Sequence, residues 1–518
     1  IPMMAPDILT VQTATSVMGN YTFKLTFEQY SVILVCMAFF FTFLRLHEVK
    51  VTEKRVFHIA GFIVVALGCG LFTNQIILSD FMDEHQINIR MFRPMESYQK
   101  YGGVLTFARS VGYAVVKKPE GYTTAKVDQI IQEYEKKSAN EQQSTAKQYP
   151  NIITVVNETF ADIKVLGDFK TNEDYMPYFH SLKKNCVTGY TYASIVGGQT
   201  ANTEFELLTG NTLGFLSAGT TAFQLYIHGQ MPSLVSNLKA EGYSGNKAMH
   251  PFNPYNYNRP AVYKDFGFTD FIDKFDFPKN VKRVREYISD EANVDRIISE
   301  YEKNRKKTDQ PFYMYNMTIQ NHSPYDKDAA NFKQPIKIES SKYDAEANRY
   351  LNLIKYSDDS LKQLTSYFEK CKEPTIILFL GDHQPRLTDE FMNKITNGQY
   401  QTWSSEQMMK RYQVPFVIWA NYDIKEQHIE KTSMNYIQSI LTKTAGVKMT
   451  GYQRFLNEVR KEVPTITSQG YWGKNGKFYQ INDKGSPYYG IIQKYRMIQY
   501  NMMFDKKNRR DSFFEVSK

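Results

Sequence analysis

Residues 374–383 read PTIILFLGDH, and residues 151–159 read NIITVVNET. Each is a short, nearly continuous apolar run, the pattern of a strand buried on both faces of a sheet. Each run ends in side chains that bind metals: Asp382 and His383 in the first, Glu158 in the second. Open α/β sheets gather their ligands at the carboxyl ends of the strands, so the two runs predict one metal-centred site. Residues 245–250 (GNKAMH), 311–319 (PFYMYNMTI) and 414–421 (VPFVIWAN) also read as strands. MPSLVSNLKAEGY and the long YDAEANRYLNLIKYSDDSLKQLTSYFEKC carry apolar residues at helical spacing. Apolar strands alternating with amphipathic helices predict an α/β domain with a mostly parallel central sheet.

Between the two ligand-bearing runs lies GGQTANTEF, residues 197–205. Gly197 and Gly198 let the backbone approach a ligand closely, and the helix start that follows directs N–H groups toward an anion. Thr200 presents a hydroxyl at that start. Thr203 is a rival on the same segment, and a threonine there also serves as a helix cap. Glu158 and Asp382 offer hard oxygen ligands and His383 an imidazole nitrogen, a mixture that suits Mn²⁺ first and admits Mg²⁺ or Zn²⁺. A metal beside Thr200 would lower the pKa of its hydroxyl and screen its alkoxide from a phosphate. The chemistry expected is phosphoryl or sulfuryl transfer, with Thr200 as nucleophile and metal ligand.

With 518 residues, 42% of them hydrophobic, the chain can build more than one domain. No charged residue occurs from 56 to 79, long enough to cross a hydrocarbon core of about 30 Å at about 1.5 Å per residue. A second uncharged run, 29–44, is expected to span as well, so residues 1–79 read as a membrane region with two transmembrane helices. Arg45, Lys50, Lys54 and Arg55 crowd the connection between them and mark it as cytoplasmic, which puts the rest of the chain outside the cell. Because Ile1 is not an initiator methionine and no signal-peptide pattern precedes these runs, a longer chain with earlier membrane helices is expected. Residues 80–149 read as juxtamembrane helices and a polar linker, 150–463 as the catalytic domain, and 464–518 as an accessory hairpin and helix. Cys36 and Cys69 fall in the membrane runs; Cys186 and Cys371 lie outside them, and their pairing is left open. The net charge of +9 is spread along the chain and accompanied by no nucleic-acid motif, so no nucleic-acid partner is expected.

In order and spacing these segments resemble the lipoteichoic acid synthase family, membrane-anchored phosphoglycerol transferases with the alkaline-phosphatase and sulfatase fold. The resemblance covers roughly residues 151–446. It implies metal ligands at Glu158, Asp382 and His383 and a nucleophile at Thr200. HPFNPYNYNR, residues 250–259, resembles the family's substrate-binding stretch and implies substrate contacts from His250, Tyr257 and Arg259. Tyr257 stands where many members have Trp. Arg259 suits a phosphate because its guanidinium donates paired hydrogen bonds. NHSPYD adds His322, which the resemblance places in the site as a substrate contact or a proton carrier.

The resemblance further implies a phosphatidylglycerol donor, a multi-pass membrane protein with an extracellular catalytic domain, and a Gram-positive source. The acceptor is a cell-surface polysaccharide decorated with single groups or, alternatively, a growing lipoteichoic acid chain. A phosphoethanolamine transferase would use the same Thr and metal, and an inactive membrane-tethered binding protein would keep the fold without the chemistry. A sulfatase activity is not expected, since Thr200-Ala201-Asn202 lacks the Cys or Ser context from which formylglycine is made.

Overall fold

The computed structural model describes residues 4, 27–45, 55–78, 81–85, 87, 89, 94–114, 116–137, 148–217, 219–339 and 344–516. The chain divides into two compact units, residues 1–115 and 116–518.

The first unit is helical. Helix Phe27–Arg45 is followed by helix Arg55–Thr73, which runs on into a π-helical turn at Asn74–Leu78. Two spans are expected from the sequence, but among the described residues one helical stretch, Ile59–Ile77, is long and apolar enough to cross a membrane. The uncharged part of the earlier helix, residues 29–44, begins with Gln29, Tyr30 and Ser31. Its apolar run from residue 32 to 44 therefore reaches only about 20 Å at about 1.5 Å per residue. The basic connection with Lys50 and Lys54 lies outside the described residues, as does most of the polar linker before residue 148. Among the described residues, the short helix Phe81–Glu84 and the helices Pro94–Tyr101 and Gly103–Ala114 follow, with Ile89, Tyr113 and Met4 in a small apolar cluster.

The second unit is built on an eight-stranded sheet. Its strands are β1 (Asn151–Asn157), β2 (Cys186–Tyr192), β3 (Ser244–Met249), β4 (Asp270–Ile272), β7 (Phe312–Met317), β8 (Thr375–Gly381), β9 (Gln413–Ala420) and β10 (Gln427–Ser433); β5 (Arg283–Val284) and β6 (Tyr287–Ile288) form a separate small hairpin. The order across the sheet is β10-β2-β9-β8-β1-β7-β3-β4. Only β9 runs against the others. Alternate residues of one strand enter different cores: Ile152 and Val156 face one side with Ile376 and Leu378, Ile153 and Val155 the other with Ile377 and Phe379. Both faces are thus covered by helices, which is why these strands read as unbroken apolar runs. The first face receives the helix Thr200–Thr209, and the second the helices Asp290–Arg305 and Ala345–Phe368.

Residues 464–518, expected as a hairpin and helix, form β11 (Thr465–Thr467), β12 (Gly470–Trp472) and β13 (Phe478–Tyr479) in an antiparallel sheet, then the helix Tyr489–Met503. Tyr495 in that helix donates its hydroxyl hydrogen to the Gly210 carbonyl at 2.5 Å, and Gln499 bonds both the N–H and the C=O of Thr212. Ile492, Tyr495, Ile498, Phe513 and Phe514 are buried in the same apolar core as the sheet. Cys186 and Cys371 are both free thiols.

Candidate active site

β1 and β8 lie side by side with Asn157 opposite Gly381, so Glu158 and Asp382 leave the sheet at the same level. The turn after β1 crosses directly over Gly381: a Cβ there would sit 1.8 Å from the Phe160 carbonyl oxygen, so no larger residue fits. Thr159 turns the chain with a φ of 48°. Its N–H donates to Asp382 Oδ1 at 2.7 Å and its hydroxyl to the Asn321 carbonyl at 3.0 Å. The Glu158 N–H donates to Thr318 Oγ1 at 3.0 Å. Three loops, after β1, β7 and β8, are therefore held together by hydrogen bonds that leave the Glu158 carboxylate uncommitted.

Ligand atoms of Glu158, Asp382 and His383 all lie within 4.8 Å of one another, the one such group among the described residues, and all three side chains are buried. His383 Nδ1 is 3.0 Å from the Gln384 carbonyl, which can only accept, so Nδ1 carries the proton and Nε2 presents its lone pair. That Nε2 stands 3.2 Å from Asp382 Oδ2 and 3.9 Å from Glu158 Oε1. Neither Asp382 Oδ2 nor His383 Nε2 has a hydrogen-bond partner. Burial first, and the Asp382 charge second, push the Glu158 carboxyl well above its ordinary range. The unpartnered Asp382 Oδ2 and His383 Nε2 converge with a Glu158 carboxyl that a cation's charge would deprotonate, a donor set that fits a divalent cation, and its mixed oxygen and nitrogen atoms fit a transition metal better than a purely oxygen-loving one.

Gly197, Gly198 and Gln199 all have positive φ, at 67°, 142° and 66°, and this left-handed stretch delivers Thr200 as the first residue of its helix. Thr200 Oγ1 is 3.5 Å from Glu158 Oε2. Thr203, one turn on, donates to the Asp382 carbonyl at 2.7 Å, which anchors the helix to the loop after β8. Of the two threonines named from sequence, Thr200 faces the ligand cluster and Thr203 is engaged in holding it.

Arg259, Tyr257 and His322 lie within electrostatic reach of this cluster, and His250 joins them one step out, beside Arg259 and His322. His250 Nδ1 lies 3.0 Å from the Met317 carbonyl, and burial followed by the Arg259 charge holds its pKa well below the usual value. His322 Nδ1 is 2.7 Å from the Ser323 carbonyl, and its pKa is also lowered, chiefly by burial. Both imidazoles are therefore neutral near pH 7, with Nε2 as the free lone pair. The Phe252 ring stacks on His322 with centroids 6.3 Å apart. Tyr257 and Asn258 are both left-handed, each with φ 60°, and the guanidinium carbon of Arg259 lies 5.2 Å from the centre of the Tyr257 ring. Arg259 itself is 1% exposed.

Three contributors escape a reading of the sequence. Glu204, inside GGQTANTEF, binds Arg259. Arg285 donates to the carbonyls of Gln320, His322 and Pro324 at 2.7–2.8 Å, and so grips the loop that carries His322. Asp290 accepts from Asn157 at 2.7 Å and Ser357 at 2.6 Å behind the Glu158 turn. Only Glu204 carried a signal, an acid at helical spacing from Thr200; the other two are joined to the site by chain segments distant in sequence.

The sequence pattern of the Sulfatase family matches residues 150–447. A Rhizobium meliloti protein named for cyclic beta-1,2-glucan modification is 30% identical over 433 residues, covering 82% of this chain and 65% of the relative. The lipoteichoic acid synthase of Staphylococcus saprophyticus is 24% identical over 374 residues, covering 69% of this chain and 55% of the relative. The chain thus spans less than two thirds of the length of either. The structure of the Streptococcus pyogenes phosphoglycerol transferase GacH, in complex with sn-glycerol-1-phosphate, superposes with a TM-score of 0.63 at 20% identity, over 78% of this chain and 100% of that one. This last likeness is one of fold.

Proposed function

The chain belongs to the sulfatase family, and from that premise we propose that it moves glycerol phosphate from phosphatidylglycerol to a hydroxyl of a cell-surface glycopolymer, through a glycerophosphoryl intermediate on Thr200. The observation that carries this reading is the buried Thr200 hydroxyl next to the carboxylate of Glu158, itself clustered with Asp382 and His383, with Arg259 and His322 in electrostatic reach of that cluster. A threonine cannot become formylglycine, so the family's fold serves here a nucleophile that is phosphorylated rather than a sulfatase's.

Glu158, Thr200, Asp382 and His383 would hold a divalent cation, Mn²⁺ by preference, whose positive charge favours the Thr200 alkoxide and offsets charge on the phosphate. Thr200 Oγ1 gives up its proton and forms a bond to the lipid phosphorus as the bond from phosphorus to the diacylglycerol oxygen breaks, and the departing oxygen takes up the proton that Thr200 released. In the second half an acceptor hydroxyl loses its proton, its oxygen attacks the same phosphorus, and the Thr200 oxygen leaves and recovers that proton. His322, whose Nδ1 is turned to the Ser323 carbonyl, keeps Nε2 for these proton transfers. Arg259 donates to the phosphoryl oxygens, and His250 with Tyr257 frames the glycerol.

The relative named for cyclic glucan modification supports decoration of a glycan with single groups. The lipoteichoic acid synthase relative supports the second reading, polymerisation of glycerol phosphate. The helical stretch Ile59–Ile77 supports a membrane anchor, which would keep an external catalytic domain near its lipid donor. Rhizobium and Staphylococcus relatives both match, so the similarity does not assign a Gram-positive source.

The test is mass spectrometry of the protein incubated with Mn²⁺ and phosphatidylglycerol, beside Thr200→Ala. A glycerophosphoryl adduct on Thr200 with release of diacylglycerol is expected. No adduct and no diacylglycerol, from folded and metal-loaded protein, would overturn the reading. Supplying glucan or a glycerol phosphate primer then separates single transfer from chain growth.

A further inference from the structure

Glu204 stands one helical turn after Thr200 and is fully buried. Its carboxylate is completely engaged. Oε1 accepts from Arg259 Nε at 3.0 Å and from Nη2 at 2.7 Å. Oε2 accepts from the hydroxyls of Tyr263 at 2.5 Å and Tyr315 at 3.1 Å. The two tyrosines come from different elements, the helix Arg259–Phe266 and strand β7, so the carboxylate is fixed from the helix layer and from the sheet at once.

A guanidinium has five N–H donors in one plane. Glu204 takes two of them along the Nε edge, and the Asn256 carbonyl lies 3.5 Å from Nη1. Two hydrogens are left, one on each terminal nitrogen, at the spacing that meets two oxygens of a phosphate. The Tyr257 ring covers the guanidinium face. We infer that Glu204 is a positioning residue, which turns Arg259 so that only its terminal edge is offered to the phosphate. Tyr263 and Tyr315 hold Glu204 in that role. Because Glu204 and Thr200 share a helix, the direction of Arg259 is tied to the position of the nucleophile. Glu204 also offsets part of the arginine's charge, so Arg259 contributes aimed hydrogen bonds as well as attraction.

This inference rests on the reading that Arg259 binds the phosphoryl group, and the experiment keeps the two apart. Binding of inorganic phosphate is measured by calorimetry on the full chain in detergent with Mn²⁺. Thermal melting and Mn²⁺ titration are run on each variant. Glu204→Gln is expected to weaken phosphate binding about tenfold or more, and Tyr263→Phe or Tyr315→Phe about two- to fivefold, with Mn²⁺ affinity unchanged. Arg259→Ala should lose phosphate binding and regain part of it with millimolar methylguanidinium, but not when Glu204→Gln is added. Rescue that is equal with and without Glu204 would overturn the positioning role. So would wild-type phosphate affinity in both tyrosine variants, which applies even if Glu204→Gln does not fold. If Arg259→Ala itself binds phosphate as tightly as the wild type, the premise about Arg259 fails instead.

Discussion

Thr200 and Thr203 occupy one turn of one helix, and their partners divide the work between them. Thr203 donates to the Asp382 carbonyl, so Thr203→Val is expected to cost about 1–2 kcal/mol of stability while leaving transfer measurable. Thr200→Ala removes the proposed nucleophile and should lower transfer by on the order of 10⁴-fold or more, with little change in melting temperature. Denaturant unfolding and diacylglycerol release, run on both variants, read the two effects separately. His383→Gln takes away the nitrogen whose lone pair faces two carboxylates, and should weaken Mn²⁺ binding more than about a hundredfold by calorimetry. The convergence of Glu158, Asp382 and His383 was legible in the sequence because each follows an apolar strand, and a parallel sheet gathers the carboxyl ends of its strands. Glu204 offered only its helical spacing from Thr200, and Arg285 offered nothing. Their partners, Arg259 and the carbonyls of residues 320–324, are 35 or more positions away, and nothing local distinguishes a buried acid or a gripping arginine from a solvated one.

At the scale of elements, the helix Thr200–Thr209 carries a second buried acid. Glu206 accepts from Ser194 at 2.7 Å and from the Leu213 N–H at 2.8 Å, and burial raises its pKa to about 7. Between about pH 4.5 and 7 the folded protein keeps a proton on Glu206 that the unfolded chain has released, so stability falls as pH rises through that window. The effect is at most about 3 kcal/mol. Glu206→Gln should therefore flatten the decline, seen as a wild-type minus variant difference in melting temperature that changes with pH between 4.5 and 7 and is constant above 8. A difference that does not vary with pH would mean that Glu206 is ionised throughout. Five of the eight sheet strands, β1, β3, β7, β8 and β9, could be read from their apolar runs. β2 and β10 could not: CVTGYTY is interrupted by Gly189, whose missing side chain admits the Ile429 carbonyl, with a Cβ there only 2.0 Å from its oxygen. β10 is an edge strand whose residues 427, 428, 430 and 431 are polar and exposed, which discourages pairing with another chain and also disguises the strand.

Taken as a whole, the second unit extends beyond the segment matched by the family pattern, which stops at residue 447. Residues 464–518 look separable in sequence because their composition turns rich in Tyr, Gly and Lys, but composition reports surface and turns rather than the core that a segment enters. Ile466, Tyr471, Tyr488, Ile492, Tyr495, Ile498, Met502, Phe513 and Phe514 are all buried in the core shared with the sheet. Burying each such side chain stabilises the fold by about 1.5–3 kcal/mol. Even after a discount for a compact unfolded state, the set contributes on the order of 10 kcal/mol, comparable with the whole stability of an ordinary domain. Ser468 adds a direct link to the site, donating its N–H at 3.2 Å to the Ser194 hydroxyl and its own hydroxyl at 2.8 Å to the Ser194 carbonyl, six residues before Thr200. A chain ended after Val463 is therefore expected to lose both cooperative melting and Mn²⁺ binding, because the cores and the nucleophile loop fail together. Circular dichroism melts and Mn²⁺ calorimetry on the truncated and full chains decide the matter. A truncated chain that melts in one transition and binds Mn²⁺ with unchanged affinity would show that the last residues decorate the fold instead of completing it.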